Sequence, residues 1–523
     1  MFHLARLCSF VLASISACHA AIGPVADLRI VNGEISPDGF PRVATLAGGS
    51  FPGPVIRGNK GDNFQINVIN ELVNHTDTVR STTVHWHGIH QHGQNIMDGL
   101  AFVTQCPIAP GNSFLYNFTI PDQAGTFWYH SHYQVQYCDG LKGALIVDDP
   151  EDPYRFWYDV DDESTIITLS DWYHEPAELV PRPAVIDSAL INGVGRYDGG
   201  PQVPLAVVNV EPWKRYRIRL INMACKPAYT FSIDKHVFTV IEADGVNTDP
   251  YIVDSLQIFA AQRYSFILEA NQPVDNYWIR ALPSRGDPSF EDGHNSAVLR
   301  YRGAPEEEPT NKTWNLNLPL NESYLHSLEP HVPGSPGLGG ADIELNLNFT
   351  KPDNEYVDNY TVNGHSYIPP SVPVLLQIMS GARTAQQLLP MGNVYPLPRN
   401  KVIELTLPGG APGGPHPFHL HGHDFSVVRS AGSTAHNYYN PVRRDTVSIG
   451  EGGDNVTIRF TTDNPGPWML HCHIDWHLYI GMALVFVEAP DDIVSTDLNA
   501  TNPNLESWTD LCPVYNSLPQ DEV

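Results

Sequence analysis

Short apolar runs punctuated by Gly and Pro dominate the chain. Ser255-Leu256-Gln257-Ile258-Phe259, Tyr264-Ser265-Phe266-Ile267-Leu268 and Asp275-Asn276-Tyr277-Trp278-Ile279-Arg280 are strand-length and rich in aromatic and branched side chains. No long amphipathic helical period is evident. The pattern predicts an all-β chain, with the middle third, residues 151–320, as strand-rich as the rest.

One predicted strand carries unusual chemistry. Residues 466–473 read Gly-Pro-Trp-Met-Leu-His-Cys-His, and extended chain alternates its side chains, so His471 and His473 share a face while Cys472 points to the other. The strand therefore serves two sites. Thiolate, imidazole and a weak thioether form the ligand set of a blue copper centre, and the histidine pair must bind something on the opposite face.

Three further histidine clusters supply partners: His85-Trp86-His87, His130-Ser131-His132 and His416-Pro417-Phe418-His419-Leu420-His421. With 23 histidines in 523 residues, about one H-x-H would arise by chance, so one doublet is weak and four in matched contexts are not. His85, His87, His130, His132, His419, His421, His471 and His473 suit a cluster of three coppers. His416, Cys472 and His477 remain as a trigonal set, with Met482 axial.

An internal repeat supports the division. Gly125-Thr126-Phe127-Trp128-Tyr129-His130-Ser131-His132 parallels 466–473, and each segment follows an H-x-H-G and precedes an apolar run. The early copy has Ser131, Gln136 and Leu141 where the late one has Cys472, His477 and Met482, so only the late copy can hold the thiolate site. Two half-sites of this kind place the histidine cluster in a cleft between domains.

Composition narrows the setting. The length suggests about three domains. A net charge of -28 argues against nucleic acid or an anionic membrane as partner. Residues 1–20 carry Arg6, an apolar run from Leu7 to Ala17 and the small-residue context Cys18-His19-Ala20, the signature of a signal peptide on a secreted, extracellular protein with no membrane anchor. Sequons at Asn74, Asn117, Asn311, Asn321, Asn348, Asn359, Asn455 and Asn499 agree with that route. Setting aside the two signal-peptide cysteines and Cys472, four remain, Cys106, Cys138, Cys225 and Cys512, enough for two disulfides in any of three pairings.

Together these segments resemble the multicopper oxidase family, and within it the secreted fungal laccases of basidiomycete type. The stretches Ala21-Ile22-Gly23-Pro24-Val25-Ala26-Asp27-Leu28, Asp122-Gln123-Ala124-Gly125 and Ala260-Ala261-Gln262-Arg263-Tyr264-Ser265 extend the likeness over nearly the whole chain. The resemblance implies three consecutive cupredoxin-like Greek-key β-sandwich domains, at 21–150, 151–320 and 321–523, the middle one without copper. It implies four copper ions: one type 1, one type 2 held by His85 and His419, and a type 3 pair held by the other six histidines. It pairs Cys106 with Cys512 and Cys138 with Cys225. The implied activity is one-electron oxidation of phenolic or aromatic amine donors through the edge of His477, coupled to reduction of dioxygen to water, by a monomer. Asp98 and Asp475 match family positions for proton supply, and orienting a histidine is an equally good role for either.

Two positions depart from that pattern. Met482 stands where Leu or Phe is usual and predicts a lower copper potential. Lys226 stands where many fungal laccases place a substrate-anchoring acid, predicting weaker recognition of dimethoxyphenols and a smaller penalty for anionic donors. His90, His92 and His423 read as supporting or surface residues, and Phe290, Pro412 and Met469 as packing near pocket loops. Competing functions are a ferrous or cuprous metallo-oxidase, an ascorbate or bilirubin oxidase, and a binding protein that has lost its ligands. The complete ligand set argues against the last.

Overall fold

A computed structural model describes residues 21–73, 78–310, 315–352, 359–496 and 504–519. The expected signal peptide and the sequons at Asn74, Asn311 and Asn499 lie outside these residues. The other five sequon asparagines are all at least partly exposed.

The strand prediction holds, and its physical basis is visible in the first sheets. Asn63–Asn70 and Ser113–Thr119 bury every second side chain, and their antiparallel register sets Phe64 against Phe118, Ile66 against Tyr116 and Val68 against Phe114. That sheet continues through Val25–Ile35 to Arg42–Ala47, and faces a second one ordered Gly53–Asn59, Lys142–Asp148, Gly125–His130, His85–His87. A seven-stranded and a five-stranded sheet follow, spanning Ile166–Tyr301. Two five-stranded sheets and a two-stranded ribbon then begin at Ile343. The molecule is thus three successive β-sandwiches of the cupredoxin type, as expected.

The longer strands that carry site histidines break the alternation: Gly125–His130 and Gly466–Cys472 are buried at every position. Their outer faces meet other parts of the chain instead of water, which is how a strand can serve two sites at once.

One element differs from the expectation. Leu505–Asn516 is a 12-residue helix that buries Trp508, Leu511 and Tyr515 at i, i+3 and i+7. It returns to the first sandwich, where Trp508 Nε1 donates to the Thr104 carbonyl at 2.9 Å and the Tyr515 and Tyr133 hydroxyls lie 3.0 Å apart. Three anchors spread over two turns, with Pro513 within them, give too short a period to stand out in a β-rich sequence. Disulfides join Cys106 to Cys512 and Cys138 to Cys225, the pairing the resemblance implied.

Candidate metal centre

Sheet register brings the histidine pairs together. His85 faces His130 across one antiparallel pair, and His419 faces His471 across another. The two pairs then meet: the His85 and His421 rings are 4.1 Å apart and those of His87 and His419 3.8 Å. His132 stands 5.2 Å from His471, and His130 5.2 Å from His473. All eight are buried.

A nitrogen count tests whether this cluster fits metal. In six of the rings one nitrogen is committed outward as a donor to oxygen. His85 Nδ1 donates to the Asp98 carbonyl at 2.7 Å, His130 Nδ1 to that of Ser131 at 2.9 Å, and His471 Nδ1 to that of Cys472 at 3.0 Å. His419 Nδ1 donates to the Asp445 carbonyl at 3.0 Å, and His421 Nδ1 to the Asp98 carboxylate at 3.0 Å. His87 is turned over, its Nε2 facing Asp445 at 3.1 Å. That pattern fixes the tautomers and leaves the other nitrogen of each ring with a bare lone pair. Nε2 of His85, His130, His132, His419 and His473 and Nδ1 of His87 have no partner, while Nε2 of His421 and His471 face each other at 3.2 Å. Buried imidazole nitrogens left empty in this number are costly unless a cation takes them. Burial, and then the neighbouring rings, push His87, His130, His132, His471 and His473 well below the ordinary histidine value. They are therefore neutral, the state a metal ligand requires.

On the reverse face of the same strand, Cys472 lies opposite Phe418. Its Sγ is 3.4 Å from His416 Nδ1 and 3.7 Å from His477 Nδ1, and those nitrogens are 3.0 Å apart. The helix Asp475–Tyr479 starts just after the strand and swings His477 back over Cys472. Burial pushes the Cys472 thiol up and His416 down to about 4. A buried thiol against two neutral imidazoles is a soft trigonal donor set for copper. Met482 is fully buried beside it, its carbonyl accepting the Cys472 amide at 3.1 Å.

The carboxylates divide. Asp98 touches both half-sites, with its oxygens 3.0 Å from His421 Nδ1 and 3.4 Å from His85 Nδ1. Burial alone would raise its carboxyl, but those two rings outweigh it and hold the group well below the usual range. Asp475 makes no such contact with a histidine: its Oδ2 lies 3.3 Å from the disulfide sulfur of Cys138, and burial holds its carboxyl well above the usual range. Tyr137, whose hydroxyl is 3.4 Å from His473 Nδ1, lies within reach of the Asp475 charge.

Asp445 was not legible in the sequence. It approaches His87 at 3.1 Å and His419 at 3.3 Å, and is itself gripped by Arg263 at 2.9 and 2.6 Å. The signal available was Arg263, inside a stretch already marked by resemblance but read there without its acid.

The remaining residues fall away from the cluster. His90 pairs with Asp424 at 3.4 Å and with the ring of His92, and His423 with the buried Glu488 at 3.1 Å. Met469 lies in the core, and Phe290 stacks under Arg280. Pro412 does line a pocket, the one of about 480 Å³ that opens over His477, with Arg182, Lys226, Arg285, Lys351 and Tyr360. A larger cavity of about 800 Å³ shares no residue with it and holds none of the site histidines.

Comparison with known proteins agrees with this geometry. Three family profiles, each described as multicopper oxidase, match residues 29–152, 163–304 and 367–492. The chain is 57% identical to a laccase of Pycnoporus cinnabarinus and to laccase-4 of Trametes villosa, with all of each chain covered. Among solved structures it is similar to a laccase from Botrytis aclada, with TM-score 0.80 and 31% identity over 94% of this chain and 91% of that one. It is equally similar in shape to Fet3p, described as a multicopper oxidase that functions in iron import, with TM-score 0.80 and 29% identity over 93% and 94%. The two separated donor sets, their shared strand and these likenesses lead to one conclusion: the chain belongs to the multicopper oxidase family.

Proposed function

We infer that the protein is a secreted laccase, oxidising phenolic or aromatic amine donors one electron at a time and reducing dioxygen to water. The observation that carries this reading is the pair of donor sets on opposite faces of Gly466–Cys472, one opening to solvent through the half-buried His477 and the other enclosed. His416, Cys472 and His477, with Met482 buried beside them, would hold a type 1 copper. His85 and His419 would hold a type 2 ion, and His87, His130, His132, His421, His471 and His473 a type 3 pair. When bound, copper supplies the one-electron acceptor at the first site and the electron store for dioxygen at the second.

The chain's own residues do the rest. Tyr360 and Pro412 frame the His477 edge against which a donor ring rests. The peptide bonds joining Cys472 to His471 and His473 give a short covalent path from one site to the other. Four phenols each lose one electron and one proton to become phenoxyl radicals, and one dioxygen takes up the four electrons and four protons as two waters. Asp98, in contact with both half-sites, and Asp475, reached through Tyr137, are the carboxylates proposed to pass those protons. The domain limits proposed are 21–150, 151–320 and 321–523, in a monomer. Among the described residues no helix is long and apolar enough to cross a membrane.

The likeness to Fet3p raises a second reading, a metallo-oxidase. Against it, no carboxylate is present among the described residues lining the pocket over His477, and a ferrous or cuprous donor would meet cations there. Purified, copper-loaded protein tests both. A strong blue band with fastest oxygen uptake on 2,6-dimethoxyphenol is expected. Uptake confined to ferrous iron or ascorbate would move the protein to the other class.

A further inference from the structure

The pocket over His477 is electrostatically unlike the rest of the molecule. The whole chain carries a net charge of -28, yet Arg182, Lys226, Arg285 and Lys351 line this cavity and no acid does among the described residues. Asp171, whose charge acts on Lys226, is buried and already accepts from the backbone amides of Cys225 and Lys226 and from the Tyr173 hydroxyl. Glu178 lies within reach of the Arg182 charge but outside the lining. Asp353, Glu355 and Asp358, close to Lys351 in sequence, fall outside the described residues, so Lys226 and Arg285 carry the weight.

Lys226 is half-buried and its Nζ donates to the Ala184 carbonyl, which fixes the ammonium at the wall of the pocket. Arg285 is exposed at the rim, close enough for its charge to act on Lys226. Two like charges converging on a cavity are mutually destabilising, and an anion between them relieves both. A guanidinium offers a planar fork of donors and an ammonium a compact point charge, a combination suited to carboxylate or sulfonate oxygens. The rest of the wall is apolar or aromatic, Ile474, Trp476, Ile480 and Tyr360, and suits an aromatic ring.

We propose that this pocket selects aromatic donors bearing an anionic substituent, which Lys226 and Arg285 hold while the oxidisable ring lies against His477. The proposal rests on the laccase reading and names its substrate class.

The test compares 4-hydroxy-3,5-dimethoxybenzoate with its methyl ester, which has the same phenol and no charge. The intrinsic difference in their ease of oxidation cancels when the acid-to-ester ratio of kcat/KM is compared between the parent and variants. In Lys226→Asp and in Arg285→Glu that ratio should fall by about tenfold or more, the scale of one charge-assisted hydrogen bond. In the parent, kcat/KM for the acid should fall from low to high salt while the ester's stays flat. Binding gives a readout free of turnover. 3,4,5-Trimethoxybenzoate, which has no phenolic hydroxyl, should inhibit the parent competitively more strongly than its methyl ester does, and lose that advantage in both variants. Because Arg285 is exposed, its variant keeps the test sound if Lys226→Asp fails to fold. An unchanged ratio, a flat salt response and equal inhibition by acid and ester would overturn the proposal while leaving the laccase reading intact. If neither acid nor ester supports oxygen uptake, the laccase reading itself fails.

Discussion

Asp445, like Asp98, binds two of the eight histidines, and it is neutralised by Arg263, itself fully buried. Removing its charge would leave that guanidinium only the more distant Asp244 at 3.7 Å, and breaking a buried pair costs roughly 3–5 kcal/mol. Asp445→Asn is therefore expected to lower the thermal midpoint and the copper content together, by calorimetry and metal analysis. Sequence reading picked out the histidines and Cys472 that the fold brings together because their residue types are rare and closely spaced. It missed Asp445 because the partner that makes it special is 182 residues away. A second residue matters for pH. His236 is buried, its Nδ1 donating to the Asp234 carbonyl and its Nε2 accepting from Tyr301, and burial pushes it down to about 4. Between the unfolded value near 6.5 and about 4, the unfolded chain takes up a proton that the folded one refuses. Stability from this residue is complete above pH ~6.5 and falls as pH drops towards 4, by up to about 3 kcal/mol. His236→Gln should flatten the fall in thermal midpoint across that window.

At the level of elements, strand alternation made the two-sided role of 471–473 readable before any fold was known. What it could not show is why the strand holds its pitch. Phe418, paired opposite Cys472, packs its ring 4.4 Å from Phe349 and walls the thiolate side. The turn after Pro417–Leu420 is equally constrained. Gly422 has a φ of 75°, and a Cβ there would lie 2.4 Å from the Trp468 ring, between His421 and the strand that carries His471. Gly422→Ala should displace that turn, visible as copper loss and a lower thermal midpoint, more than Gly432→Ala, which meets open space at a similar φ. The helix Leu505–Asn516 was the element the sequence hid, since its apolar positions are too few to outweigh the surrounding β pattern.

Across the whole molecule, the histidine cluster draws on residues 85–132 and 419–473, so metal bound there joins the first sandwich to the last. Chelation should accordingly lower the midpoint of the unfolding transition; metal at a hundred times its dissociation constant contributes about 2.7 kcal/mol. The histidines and Cys472 could be divided into two clusters from sequence because a repeat marks both halves. The pocket over His477 could not be, because its walls come from segments around 182, 226, 285, 351 and 412 that no local pattern connects.

The bond between Cys106 and Cys512, 406 residues apart, makes most of the chain a closed loop. A protease that cuts any exposed turn inside that loop releases nothing: both pieces stay attached through the bond, and the two half-sites stay in register. Nicked enzyme should migrate as one band without reductant and as two with it, and should keep its blue colour while the bond is intact. For a protein expected to work outside the cell, damage to one loop is then a scar and not a loss.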